Sequence, residues 1–141
     1  MIRIILLGLW LAVSLTTYTQ VRVIVTSLPE NTPPGDHIYV AGNFNGWNPG
    51  DPEFMLEENA SGQPETELEG TGTIEFKFTR GSWETVEGDA NGQYLPNRTF
   101  TFGSADTLVV EILSWEDLGG TNHTAAENVI ILDEDFYMPQ L

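Results

Sequence analysis

Apolar and polar residues alternate along much of this chain, and the period is two. Val21, Val23 and Val25 alternate with Arg22, Ile24 and Thr26. Thr73 to Thr79 is the sharpest case: Ile74, Phe76 and Phe78 share one face, Thr73, Glu75, Lys77 and Thr79 the other. Successive side chains of a strand point to opposite sides, so this pattern predicts half-buried strands. His37 to Ala41, Phe54 to Glu57, Glu65 to Glu69, Trp83 to Val86 and Arg98 to Phe102 read as further short strands, Glu65 to Glu69 weakly, with Leu68 alone to bury. Leu108 to Leu113 is mostly apolar, the pattern of a strand covered on both faces. Turn signals separate the runs: Pro33-Pro34-Gly35-Asp36, Asn45-Gly46, Asn48-Pro49-Gly50, Ser61-Gly62, Asp89 to Gly92 and Gly103-Ser104. No stretch carries a helical period with caps. About seven or eight short strands at this spacing predict an all-β sandwich of roughly 100 residues.

The two ends differ from this body. Met1-Ile2-Arg3 is a short basic start, Ile4 to Val13 is almost wholly apolar, and Ser14 to Gln20 is polar. That order predicts a secretory signal peptide over residues 1–19, cut after Thr19 or nearer Ser14. The apolar run is shorter than the roughly 20 residues that span a bilayer. Export to the periplasm or the medium is the expectation, with no membrane association once the signal is removed. From Glu116 to Asn128 the chain is polar with a glycine pair and reads as a linker. Val129 to Leu132 is apolar again, followed by Asp133-Glu134-Asp135. The expected organisation is therefore a signal at 1–19, a sandwich over 20–115, and a linker over 116–141 that leads into a further domain.

Composition narrows the function. The 141 residues include 14 glycines and 8 prolines, which suits many turns, and carry a net charge of −16 from 21 acids against 5 bases. Nucleic acid and anionic lipid need a basic surface, so neither is an expected partner. The acids are dispersed, as on a solvated surface, and show no calcium-loop spacing. With no cysteine there is no disulfide, thiolate zinc site or cysteine nucleophile. Gly-x-Ser-x-Gly is absent; His37 falls in an expected strand and His123 in the linker, neither with a partner for acid–base work. No catalytic residue, metal site or cofactor is expected, and the domain is read as non-enzymatic.

Aromatic chemistry remains. Sugar rings present flat C–H faces that pack on aromatic rings, while their hydroxyls take amide, ammonium or carboxylate partners. Trp47, Trp83 and Tyr94 lie beside turn signals, where side chains project outward. Trp47, in a loop rich in Gly and Asn, is the one expected at the surface; Trp83 and Trp115 suit the core or the surface equally.

Ile38 to Pro49 (IYVAGNFNGWNP), Phe76-Lys77-Phe78-Thr79-Arg80 and Pro96-Asn97-Arg98 resemble, in order and spacing, three segments of starch-binding domains. These are carbohydrate-binding module family 20, with the related glycogen-binding family 48. The resemblance covers roughly Val21 to Trp115. It implies an immunoglobulin-like antiparallel sandwich that binds starch or another α-glucan. Trp47 matches a tryptophan that stacks on glucose, Lys77 a hydrogen-bonding lysine, and Asn97 an asparagine that contacts sugar hydroxyls. The family's second tryptophan has no counterpart in Asn91-Gly92-Gln93-Tyr94-Leu95; Tyr94 or Trp83 is left to supply that ring. Val129 to Leu141 resembles the opening of an α/β-hydrolase esterase domain in exported bacterial proteins. A C-terminal hydrolase partner is the implication, with this module accessory to it. The alternative reading is a spacer of the same fold without sugar binding.

Overall fold

The structure, a computed structural model, describes residues 18–120. The tail from 121, with His123 and Val129–Leu141, lies outside the described residues, as does the expected signal apart from Tyr18 and Thr19. Among the described residues the protein is all-β, with ten strands in three sheets and only two short 3-10 turns. The first sheet holds β1 (Thr19–Ser27), β3 (Glu57–Glu58), β4 (Pro64–Gly70) and β8 (Thr107–Glu111), in the order β3-β4-β1-β8. The second orders β2 (Tyr39–Gly42), β5 (Thr73–Thr79) and β7 (Arg98–Thr101) as β2-β5-β7. The third is small: β10 (Gly119–Gly120), β9 (Ser114–Trp115) and β6 (Glu87–Gly88).

One apolar cluster joins the inner faces. Val21, Val23 and Val25 of β1 and Leu68 of β4 pack with Ile74, Phe76 and Phe78 of β5, Val40 of β2, Phe100 of β7 and Trp115 of β9. Each such side chain is worth about 1.5–3 kcal/mol when fully buried. Period two puts these residues inward: Val21 stands opposite Leu68, and Ile74 opposite Phe100. Trp115 is fully enclosed and donates from Nε1 to Thr32 Oγ1 at 2.9 Å, so of its two possible placements the core is the actual one.

Several expectations are corrected. Phe54 and Trp83 lie in 3-10 turns, Pro52–Phe54 and Trp83–Thr85, and not in strands. Pro52 cannot donate to a ladder, and Asp51 accepts from the Glu53 amide, which favours the turn. His37 precedes β2 and is exposed. The Leu108–Leu113 run forms an edge strand with Val109 60 % exposed, so it is covered on one face only. The β1–β8 pair is parallel, against an expectation of antiparallel strands throughout. Strand pairing also continues past Trp115: Gly119 stands opposite Trp115 and Gly120 opposite Ser114, inside the stretch read as linker.

Buried polarity fastens the sheets together. Glu87 is fully enclosed and accepts from the Phe78 amide at 2.9 Å and from Arg98 through Nε and Nη2, the closest contact 2.8 Å. Arg98 Nη2 also donates to the Glu111 carbonyl at 2.7 Å. One carboxylate and one guanidinium thus link β5, β6, β7 and β8. Arg80 makes a second clamp, donating to Asp36 at 2.6 Å and to Asp117, with its guanidinium 5.2 Å over the Trp115 ring. Burial works to lower the Arg80 pKa; the bonds to Asp117 and Asp36 outweigh it and leave the group above the ordinary arginine value.

Candidate functional site

The outer face of β5 carries Glu75, Lys77 and Thr79. An exposed outer face would leave all three wet, yet Lys77 is 5 % exposed and Thr79 fully buried. Loops cover them. Thr79 Oγ1 donates to the carbonyl of Pro49, in the loop after β2. The Lys77 ammonium lies 4.6 Å from the centroid of the Tyr94 ring, from the loop before β7.

The loop after β2 is built around Asn45. Its Oδ1 accepts from the Gly42 amide at 2.9 Å, and its Nδ2 donates to the carbonyls of Val40 and Asn48, each at 3.3 Å. The Trp47 amide donates to the Gly42 carbonyl at 2.8 Å. Gly42 is required by close approach: a Cβ there would stand 2.4 Å from the Glu75 carbonyl oxygen. These bonds hold Trp47 at φ 61, the one non-glycine residue with positive φ among those described. A left-handed conformation in a bulky residue costs about 1–2 kcal/mol and persists only where surroundings enforce it. In this conformation the Trp47 indole is half-buried.

Its ring meets Trp83. The centroids are 6.1 Å apart and the planes are inclined at 45°. Trp47 is half-buried and Trp83 43 % exposed, so the pair presents apolar surface to solvent. The two loops touch at Gly50, where a Cβ would come within 2.7 Å of the Gly81 carbonyl oxygen.

Tyr94 is 70 % exposed. Its loop is anchored by Asp89, whose Oδ1 accepts from the amides of Asn91 and Gln93 at 2.8 and 2.9 Å, and by Ser114 Oγ on the Asp89 carbonyl at 2.6 Å. Asn97 is exposed, and its Nδ2 donates to Glu75 Oε2 at 3.1 Å. Asn43 Oδ1 accepts from the Glu75 amide at 3.3 Å.

The five residues singled out from sequence therefore fall into three groups on one face: Trp47 with Trp83, Lys77 with Tyr94, and Asn97 with Glu75. The loop carrying Trp47 is bonded to Thr79 through Pro49, and Tyr94 lies over Lys77, two residues and roughly 7 Å away along β5. Lys77 is more enclosed than a freely presented sugar ligand would be, and Asn97 already has a partner. Two site residues were missed. Glu75 was legible, since period two puts it on the face of Lys77. Glu116 was not: it reaches Lys77 Nζ at 4.0 Å through the pairing of β6 with β9. Among the described residues no cluster of His, Asp and Glu is arranged to hold a metal ion.

Fold and face together define a small all-β domain that displays an aromatic platform flanked by polar groups. Over 94 residues the chain is 36 % identical to an alpha-amylase of Niallia circulans, covering 64 % of this chain. Over 99 residues it is 34 % identical to an amylopullulanase of Thermoanaerobacter thermohydrosulfuricus, covering 65 %. The chain spans 7 % of the length of each of these relatives. A glycoside hydrolase family 15 glucoamylase of Hypocrea jecorina aligns in three dimensions over 70 % of this chain and 17 % of its own, at 24 % identity and a TM-score of 0.43. No family model matches the chain.

Proposed function

We propose that this domain is a non-catalytic carbohydrate-binding module for starch or a related α-glucan. The observation that carries the reading is the Trp47–Trp83 pair: two partly exposed indoles, one held against its backbone preference, 6.1 Å apart and inclined at 45°. Inclined rings suit a curved chain whose successive sugar faces turn, more than a flat ribbon. Trp83 then takes the role of the second stacking ring, with Tyr94 at the other end of the same face. Lys77, Asn97 and Glu75 supply hydrogen-bonding partners for hydroxyls. Both relatives named for starch-degrading activities are matched over a small part of their length, which suits an accessory module within a longer enzyme.

In the same reading, residues 1–19 are an export signal, the strands form an immunoglobulin-like sandwich, and the protein acts outside the cytoplasm beside a hydrolase domain, an esterase by the resemblance of Val129–Leu141. The module raises the local concentration of a catalytic partner at a polymeric substrate.

Affinity electrophoresis through soluble starch tests this directly. Trp47→Ala and Trp83→Ala each lose retention, by about 5- to 160-fold in affinity if each ring is worth about 1–3 kcal/mol, as base-stacking aromatics are. Retention unchanged in both variants would sink the proposal. The spacer reading draws on the enclosure of Lys77 and the Asn97–Glu75 bond. It expects no retention by the wild-type protein.

A further inference from the structure

We infer that Glu116 is a sugar-hydroxyl ligand, working with Lys77; this rests on the α-glucan reading above. Glu116 Oε1 is enclosed and has no hydrogen-bond partner among the described residues. A buried carboxylate oxygen calls for a donor, from protein, solvent or ligand, since buried polar groups are almost always satisfied. The group facing it is the Lys77 ammonium, at 4.0 Å, beyond hydrogen-bonding distance.

That separation is suited to one intervening oxygen. An oxygen about 2.7 Å from the carboxylate and about 2.9 Å from the ammonium subtends roughly 90° across the 4.0 Å gap. The bridging group must donate to Glu116 and accept from Lys77. A ligand hydroxyl does both, as does the water it would replace; a carboxylate, an ammonium or a carbonyl does only one. The pair thus selects for hydroxyl-bearing ligands.

The surroundings fix both groups. Glu116 is the residue after the buried Trp115, and its amide donates to the Val86 carbonyl at 2.9 Å. Asp117 is tied to Arg80. Lys77 is held by the ladder of β5. The exposed member is Tyr94, which rests its ring over the ammonium at 4.6 Å. The Tyr94 ring is open to solvent, so an arriving sugar displaces it from the ammonium and takes up the Glu116–Lys77 gap, with the tyrosine closing over its apolar face.

The test is calorimetric titration of the full chain with maltoheptaose and with a set of monodeoxy maltosides, using wild type, Glu116→Ala, Glu116→Gln and Trp47→Ala. Glu116→Ala is expected to weaken maltoheptaose binding about tenfold, as for loss of a charge-assisted hydrogen bond. Removing one particular hydroxyl from the ligand is expected to weaken binding to wild type and to make no difference to Glu116→Ala. Glu116→Gln, which preserves shape and an acceptor, is expected to fall between. Glu116 variants that bind like wild type, or that bind more weakly yet still discriminate that hydroxyl, overturn the inference. Absence of wild-type binding, or an unimpaired Trp47→Ala, instead brings down the α-glucan reading and this inference with it.

Discussion

Trp47 is where one residue's conformation and its proposed role conflict most openly. A glycine at φ 61 carries no steric penalty, and Trp47 does. Trp47→Gly is therefore expected to abolish starch retention while shifting the unfolding free energy by no more than about 1 kcal/mol, because relief of strain offsets the lost ring contact with Trp83. Trp47→Ala keeps the strain and loses the contact, so it should be the less stable of the two in urea denaturation. A destabilisation of several kcal/mol from Trp47→Gly would instead identify the indole as core. Glu87 makes the opposite case. It is fully buried and tied to Arg98 and the Phe78 amide. Removing one partner of a buried pair strands the other, so Glu87→Ala and Arg98→Met are each expected to cost about 3–5 kcal/mol. The double variant should cost less than their sum, the mark of a coupled pair. Glu87 was not distinguishable by sequence from the other acids, and Arg98 stood out only as part of the Pro96-Asn97-Arg98 segment. Burial of a charge is decided by what the fold packs around it.

Strands with strong alternation were legible and others were not. The β5 limits coincide with the expected Thr73–Thr79, because three aromatic or branched residues on one face leave no competing register. Trp83–Val86 and Phe54–Glu57 looked like strands through their apolar residues, but they are too short to set a period, and Pro52 together with the Asp51 cap tips the second into a turn. The edge strand β8 shows a further limit. Its composition suggested cover on both faces, yet Val109 faces solvent while Val110 is 8 % exposed. Val109→Lys is thus expected to change stability by less than about 0.5 kcal/mol, whereas Val110→Ala costs about 1–3 kcal/mol, both read from thermal unfolding. A lysine on an unpaired edge also discourages strand addition, so Val109→Lys should aggregate more slowly on heating. Loop supports behave like core. Gly42→Ala places a Cβ against the Glu75 carbonyl, and it should lower both stability and glucan retention by displacing the Trp47 loop.

For the whole molecule, a net charge of −16 opposes compactness by self-repulsion, and salt screens it. Raising sodium chloride from about 10 mM to about 0.5 M, which shortens the screening length several-fold, is expected to raise the melting temperature. Retention on neutral glucan should hardly respond, since stacking and hydroxyl hydrogen bonds involve no counterion release. A strong loss of retention with salt would point to ionic recognition and against the aromatic face. On the alkaline side the Arg80 clamp is fully present up to the ordinary arginine range and is lost only as the pH rises through the raised value, because Asp117 and Asp36 favour the charged guanidinium.

The chain's alternation by itself determined an all-β domain, its best strands and the inward set of valines and phenylalanines, because side-chain period two is a local consequence of the pleat. Turn residues likewise marked the loops that carry Trp47 and Tyr94. What the tertiary structure alone decided was which distant residues meet. Trp47 finds Trp83 and not Asn97; Lys77 is enclosed between Tyr94 and Glu116; Trp115 is core; and Glu116, in a stretch with the composition of a linker, is brought to the site by a two-residue strand. Those outcomes depend on strand order and loop closure across long sequence separations, where no local pattern carries the information.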